Sequence, residues 1–492
     1  MSFLGIDLGT SEVKAALVSE DGVVLAAAAE PLVLSHPHPA WSEQHPDAWW
    51  RAVDTVLLRL AGPDRGALRA VQAIGVSGQM HGAVVLDERA QVLRPAILWN
   101  DSRSARECVE LESEVTELRS ITGNLAMPGF TAPKLRWLRR HEPELFAAIR
   151  TVLLPKDWLV LQLCGEPSSE MSDASGTLWL DVGRRRWSET MLAASGLSLR
   201  HMPALHEGSD AVGVLHPALA RRWGIGTRCV IAAGAGDNAA AAIGLGATEP
   251  GQGFVSLGTS GVAFLVSDGY RPRPEQAVHA FCHALPQRWH QMGVMLSAAA
   301  SLQWAAHQLG HADVPTMMAE VESVTPGEAV AGPLFLPYLS GERSPHNDPA
   351  AGAVFFGLRA SHSRALLAHA VAEGVAFAMT DCLDCIEART VAPHGLGLVG
   401  GAARSERLRL LLASASGITL RPLPHAAHAA ALGAASLARL AAGGGYAPFT
   451  AREDHEPLPV GSPPDPDWSA MLAPRLARFR ALYGAVREHF PR

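Results

Sequence analysis

Gly234-Ala235-Gly236-Asp237-Asn238-Ala239-Ala240-Ala241 sets a single carboxylate after two glycines near the middle of a 492-residue chain. The run before it, Cys229-Val230-Ile231-Ala232-Ala233, is short and apolar and reads as a buried strand, while the alanines after it read as a helix. A carboxylate at that junction stands at the carboxyl end of a strand, where open α/β sheets take their ligands, and the glycines let a substrate approach the backbone. Asp237 is thus a candidate general base, and capping of the following helix is the other role open to it.

A second glycine-rich acidic loop lies at the N-terminus. Residues 3–18 read strand, turn, strand, and Asp21-Gly22 turns the chain into a third strand, giving a β-meander. Gly9, Thr10 and Ser11 offer backbone N–H groups and hydroxyls to phosphate oxygens, and Asp7 suits a magnesium ion held through its waters. The spacing is not that of a Walker loop. An ordinary hairpin turn accounts for the same residues.

After a polar Gly/Pro break at residues 247–253 the N-terminal pattern is restated. Leu257-Gly258-Thr259-Ser260 repeats Leu8-Gly9-Thr10-Ser11, again between two strand-like runs. Two copies of one phosphate-gripping hairpin imply a duplicated architecture with a nucleotide between the halves, divided here as 1–246 and 247–492. Farther on, Gly400-Gly401-Ala402 forms a turn between a strand and an amphipathic helix, against which a flat adenine or ribose can lie. With phosphates gripped from two sides, the chemistry expected of Asp237 is phosphoryl transfer.

Polar groups at other strand ends are the candidate substrate contacts. Gln79, Met80 and His81 sit in a glycine-flanked turn between two strand patterns, and Asn100 and Asp101 follow a third. A helix from Pro46 through Leu60 precedes these segments, and the stretch from 106 to 221 is mainly helical. Interruptions near 127–138 and 154–159, with a hairpin-like one at 172–181, look like insertions that roof a pocket. Basic residues are almost all arginine, and the three lysines, Lys14 in the N-terminal strand-turn-strand and Lys134 and Lys156 in these interruptions, fall where expected if each needs a compact ammonium.

Composition limits the partners. At 492 residues the chain exceeds the roughly 250 to 300 at which single cores stop growing, so two large domains are expected. Net charge is −7 with no dense basic block, which points away from nucleic acid and membrane surfaces. The N-terminus shows no secretory pattern and no apolar run is of spanning length, which points to a cytoplasmic protein. Of six cysteines only Cys382 and Cys385 are close, in a helical pattern without a second pair, so helix packing is expected rather than zinc.

Taken together, Asp7 to Ser11, the Asp237 loop, Gly258 to Ser260 and Gly400-Gly401 resemble the actin, Hsp70 and sugar-kinase ATPase fold, and within it the FGGY carbohydrate kinases. The likeness runs along essentially the whole chain. Residues 129–141 match the family's first signature, G-x-T-x-x-K-L-x-W-L, and Phe335-Leu336-Pro337-Tyr338-Leu339-Ser340-Gly341-Glu342-Arg343-Ser344-Pro345 with Gly357 resembles the lead-in to its second. Gln79-Met80-His81-Gly82, Leu98-Trp99-Asn100-Asp101, residues 171–177 and residues 281–286 resemble the branch that phosphorylates D-xylulose.

The resemblance implies an α/β fold of two duplicated ribonuclease H-like domains around a cleft, and ATP-dependent phosphorylation of a five-carbon ketose on its terminal hydroxyl. It makes Asp237 the proton acceptor, Asp7 the magnesium-linked carboxylate, Met80, His81, Gln79, Asn100, Asp101 and Asn238 the sugar contacts, and the two turns with Lys14 and residues 400–402 the nucleotide contacts. ATP and Mg²⁺ are the implied cofactors, a small sugar the partner, and a homodimer stands beside the monomer. Ribulose, gluconate, glycerol or a non-catalytic sugar-sensing role are the alternatives. Leu366, Ala372 and Gly400-Gly401-Ala402-Ala403 depart from the family pattern, the last at the adenine pocket.

Overall fold

The computed structural model describes residues 1–63, 66–392, 394–423, 426–446 and 461–491. Two sheets organise them. In the first, β1 (Ser2–Leu8), β2 (Glu12–Ser19) and β3 (Val24–Pro31) form the antiparallel meander, with Asp7 opposite Lys14. β4 (Val71–Gly78) lies parallel to β1, β6 (Val230–Ala232) parallel to β4, and β5 (Ala211–Val214) closes the edge antiparallel to β6. The short β7 (Ala235–Gly236) continues beside the end of β4.

The second sheet holds β8 (Gly253–Leu257), β9 (Gly261–Ser267), β10 (His279–Cys282), β11 (Trp289–Met295), β12 (Leu396–Val399) and β13 (Leu420–Pro422). Its order β11-β9-β8-β12-β13 repeats the first sheet's β3-β2-β1-β4-β6, with β10 added outside β11. In both, three antiparallel strands are followed by two parallel ones. The duplication read from two short turns therefore extends to the topology of both halves.

β1 is buried along nearly its whole length because both its faces are covered, which is why it reads as a continuous apolar run. Alternation along the strand divides the two cores. Leu4, Ile6 and Leu8 pack with Trp49, Val53 and Val56 of α1 (Pro46–Ala61), whereas Phe3 packs with Ala431 and Leu432. Those last two belong to helix Ala429–Ala441, which follows the second sheet in sequence and returns to lie on the first. Its approach is backbone to backbone: a Cβ on Gly75 would sit 2.0 Å from the carbonyl oxygen of Ala434, and one on Gly433 would sit 1.8 Å from that of Ala240.

Helix Arg364–Cys385 is the central element of the second half, with Val371, Val375, Phe377 and Met379 in its core. It is long and apolar enough to cross a membrane by length and composition, but 89% of its most apolar window is buried in the protein, as in a core helix. Cys382 and Cys385 are buried there with free thiols.

The stretch 172–181, expected as a hairpin, begins instead as α2 (Met171–Ser175), and only Leu180–Asp181 is strand, paired with Arg186–Trp187. The cause is a cap: the Glu170 carboxylate accepts the N–H groups of Ser172 at 2.7 Å and Asp173 at 2.8 Å. Of the Pro- and acid-rich tail expected from Pro448, residues 448–460 lie outside the described residues. The last helix, Pro466–Val486, starts two residues earlier than its apolar pattern suggests because the Asp465 side chain accepts the N–H of Trp468.

Candidate active site

Three neighbouring strand ends of the first sheet set two carboxylates on either side of β4. Asp7 pairs in register with Ser77 on one side, and Gly236, the residue before Asp237, pairs with Gly78 on the other. Two strand spacings put those backbones about 10 Å apart. The Ser77 hydroxyl donates to Asp7 Oδ1 at 3.0 Å. Withdrawal from water raises the Asp7 carboxyl above its ordinary range, with Ser77 and Lys14 opposing.

Asp237 is the first residue of α3 (Asp237–Gly244), and its Oδ1 accepts both the backbone N–H (2.7 Å) and the side-chain amide (2.9 Å) of Asn238. Burial, then the negative charge of Asp7, raises its pKa to about 7 against the opposition of those two donors. That value matches a base working near neutrality.

A cavity of about 240 Å³ opens beside it, lined from the first half by Met80, His81, Trp99, Asp237 and Asn238. The second half contributes Ser260, His279, Phe281 and Arg343. His81 has φ 69° and its backbone oxygen is held by Lys134 Nζ at 2.8 Å and the Thr131 hydroxyl at 3.1 Å. Its Nδ1 lies 2.6 Å from the Gly176 carbonyl, which can only accept, so Nδ1 carries the hydrogen and Nε2 is a bare acceptor. Burial pushes the imidazole pKa down to about 3, so the ring is neutral. A Cβ on Gly176 would meet His81 Nδ1 at 2.5 Å and Met80 Cε at 3.0 Å, which gives that glycine its purpose.

Two of the three lysines are fully buried. Lys134 also donates to the Gly129 carbonyl at 2.7 Å, and burial lowers its pKa to about 7. Lys156 lies under the Gly78 end of β4, bound to Asp157 and within 3.7 Å of Glu170 and 4.0 Å of Asp173. Burial works against its charge, but those three carboxylates outweigh it and raise its pKa. Glu170 in turn accepts the Ser172 hydroxyl at 2.9 Å, and that hydroxyl accepts the N–H of Gly236. A compact ammonium suits so crowded a place.

Among the described residues, the backbone N–H groups of Thr10, Ser11, Thr259 and Ser260 find no acceptor, so both turns present free donors. The Thr10 hydroxyl is not free: it donates to Gln79 Oε1 at 3.1 Å and accepts the Trp99 indole N–H at 2.9 Å. Behind the second turn lies a mostly apolar cavity of about 430 Å³ walled by Gly401, Ala402, Leu302, Val314 and Met318. Gly400, at φ 98°, passes so close to Leu257 that a Cβ would sit 2.4 Å from its carbonyl oxygen.

Several residues expected at the site are elsewhere. Gln79 is buried behind the cavity, joining Thr10 to Gln44, because its position in the turn points it at the meander. Asp101 is turned inward, accepting the N–H of Ser42 at 2.6 Å and two side-chain bonds from Arg103, and Asn100 is exposed outside the cavity. Lys14 binds Glu12 and the Ala427 carbonyl and reaches the site only through its field at Asp7. Conversely, Trp99, His279, Phe281, Arg343 and Ser172 were not singled out. All but His279 stood inside a quoted motif, but nothing local marks which member of a motif turns toward a cavity.

Family models for the N-terminal and C-terminal domains of the FGGY family of carbohydrate kinases match residues 2–244 and 253–442. A xylulose kinase of Escherichia coli (strain K12) is 51% identical over 98% of both chains, and one of Klebsiella pneumoniae is 53% identical over 89% of this chain and 90% of that one. The crystal structure of a xyloylose kinase from Brucella ovis superposes with a TM-score of 0.94 at 44% identity, covering 99% of this chain and 100% of the other.

Proposed function

The chain belongs to the FGGY family of carbohydrate kinases, and we propose that it transfers the γ-phosphoryl group of ATP to the terminal hydroxyl of D-xylulose, with Asp237 accepting that hydroxyl's proton. The observation that carries the role of Asp237 is its pKa of about 7 in a cavity shared by both halves. Asn238 holds Oδ1, which leaves Oδ2 for the hydroxyl. General-base catalysis of this kind contributes about 10²- to 10⁴-fold.

His81 Nε2 accepts a hydrogen bond from a sugar hydroxyl, Met80 packs its thioether against carbon-bound faces, and Trp99 covers the sugar with an apolar ring. The free N–H groups of both turns cradle phosphate oxygens, and the cavity beside Gly401 and Ala402 takes the adenine. Phosphoryl transfer depends on such positioning and charge neutralisation more than on covalent help from the protein.

Magnesium fits the residues present. Asp7 and Asp237 repel each other across one strand, which a divalent cation relieves, and among the described residues no larger ligand cluster exists. Few protein ligands suit an ion that keeps most of its waters. Asp7 is the residue assigned to hold it, and when bound it neutralises phosphate charge. A cytoplasmic location and a homodimer belong to the same proposal, the latter read by light scattering of the purified protein.

A panel of D-xylulose, D-ribulose, D-gluconate and glycerol with ATP tests the assignment. D-xylulose is expected to exceed the others in kcat/KM by about 10²-fold or more. Preference for another acceptor overturns the substrate, and nucleotide binding without transfer to any of them overturns the kinase in favour of a sugar-sensing module.

A further inference from the structure

Arg343 lies in the Gly341-Glu342-Arg343-Ser344-Pro345 run, which in sequence is no more than a family signature. Its backbone is pinned: Glu342 Oε1 accepts the N–H groups of Leu296 at 2.9 Å and of Arg343 at 2.8 Å, and residues 342 and 348 exchange backbone hydrogen bonds. The guanidinium lines the cavity of Asp237 and His81. Among the described residues no carboxylate is hydrogen-bonded to it, although the field of the adjacent Glu342 acts on its charge, and its one side-chain hydrogen bond runs from Nη1 to His279 Nε2 at 3.3 Å. Removing such a charge from water without a partner is costly, so a ligand oxygen is the natural complement.

What holds Arg343 is itself fixed. An arginine only donates, so His279 Nε2 accepts and its Nδ1–H donates to Asn124 Oδ1 at 3.0 Å. Asn124 is locked by donating to the carbonyls of Thr122 (2.7 Å) and Ala280 (3.1 Å), and the His279 ring stacks on Phe281 at 5.4 Å. Asn124 precedes the second sheet and His279 is on its outer strand, so this chain of hydrogen bonds joins the two halves at the cavity.

Its place along the cavity follows from the rings around it. His279, which holds the guanidinium, lies 5.7 Å from Phe130 and 5.4 Å from Phe281 between ring centroids, and both of those rings pack on His81, at 4.8 Å and 6.3 Å; the charge of Arg343 acts on His81 as well. Arg343 therefore stands at the His81 end, away from the hydroxyl that receives phosphate. His81 Nε2 and Asp237 accept, the Trp99 indole N–H is already used, the Asn238 amide keeps one N–H beside an accepting oxygen, and the Ser260 hydroxyl does either. Arg343 is the side chain there that donates without accepting and has N–H groups to spare.

We propose that Arg343 selects for a ketose, its guanidinium donating to the carbonyl oxygen and an adjacent hydroxyl at the end of the sugar remote from Asp237. A carbonyl oxygen accepts only, so a donor-only fork matches it, while a polyol presents in its place a hydroxyl that must also dispose of a proton. The proposal rests on the kinase assignment above, and the two fail separately: absence of transfer by the wild-type protein would sink the assignment, whereas the selectivity below concerns Arg343 alone.

The experiment compares D-xylulose with xylitol and D-arabitol, its two C2-reduced counterparts. Affinities are read from tryptophan fluorescence on the full chain, and kcat/KM wherever turnover is measurable. Arg343→Met is expected to weaken D-xylulose by about 10²-fold and the polyols by less than about threefold, so the ketose-to-polyol ratio collapses. Arg343→Lys, which keeps the charge but not the fork, is expected to lower the ratio about tenfold. Asn124→Ala, which frees His279, should lower it severalfold with Arg343 intact. Equal losses for ketose and polyols, or an unchanged ratio in the folded Arg343→Lys protein, would overturn the proposal.

Discussion

The backbone N–H of Gly236 donates to the hydroxyl of Ser172 across 3.1 Å, and that hydroxyl donates onward to Glu170, which sits 3.7 Å from the ammonium of Lys156. The candidate base, one residue along from Gly236, is thereby tied to a buried charge cluster beneath the sheet. Its position is set by groups that never touch substrate.

Removal of that hydroxyl leaves the Gly236 N–H without its acceptor and Glu170 short of a donor. Ser172→Ala should cost about 1–3 kcal/mol in urea denaturation. If Ser172 positions the base, kcat should also fall about tenfold while the KM for D-xylulose moves less than threefold, and Ser172→Thr should restore much of kcat. Lost stability with an unaltered kcat would make Ser172 a support of the fold alone.

Asp237 should show opposite effects on activity and on stability. Its pKa, about 7 when folded, exceeds the ordinary 3.8, so the folded protein binds the proton more tightly than the unfolded chain does. Stability therefore falls as pH rises between those values and stays lower above them. Asp237→Asn removes this loss: it should match wild type near pH 4 and gain on it up to about pH 7, with the full gain above. Turnover should drop by at least ~10². Thermal melts at several pH values check the first part, and a variant retaining a tenth of wild-type turnover would exclude the base.

Asp7→Asn removes the negative neighbour that raises Asp237. The acidic limb of the wild-type kcat/KM profile should lie near pH 7 and shift to lower pH in the variant. The Mg²⁺ concentration needed for half-maximal rate should rise in parallel. A shifted limb with an unchanged metal requirement would separate the two effects and remove Asp7 from the metal.

Gly176→Ala tests how tightly Met80 and His81 are confined, since the added methyl would lie 2.5 Å from His81 Nδ1. The ring must turn and lose its bond to the Gly176 carbonyl. The KM for D-xylulose is expected to rise about tenfold and that for ATP to change little. Equal effects on both would mean that the methyl disturbs the halves generally.

The parts legible in the sequence were those written by neighbours along the chain. Apolar runs ending in glycine and a carboxylate gave Asp7 and Asp237 at strand ends, and the repeated Leu-Gly-Thr-Ser gave the duplicated halves, because period and turn chemistry are local properties. Long-range pairing decided the rest. Gln79 and Asp101 look like sugar contacts in their loops, yet Gln79 is captured by Thr10 and Gln44 and Asp101 by Arg103 and Ser42. Arg343 and His279, 64 residues apart, meet at a cavity that Asp237 and His81 line from the first half. Helix Ala429–Ala441 leaves the second half to bury itself on the first, and its small residues show that something comes close without saying what. The chain's pattern settles which faces are apolar and which turns are acidic. Partners for those faces come from strands and helices hundreds of residues away, and only the packed structure specifies them.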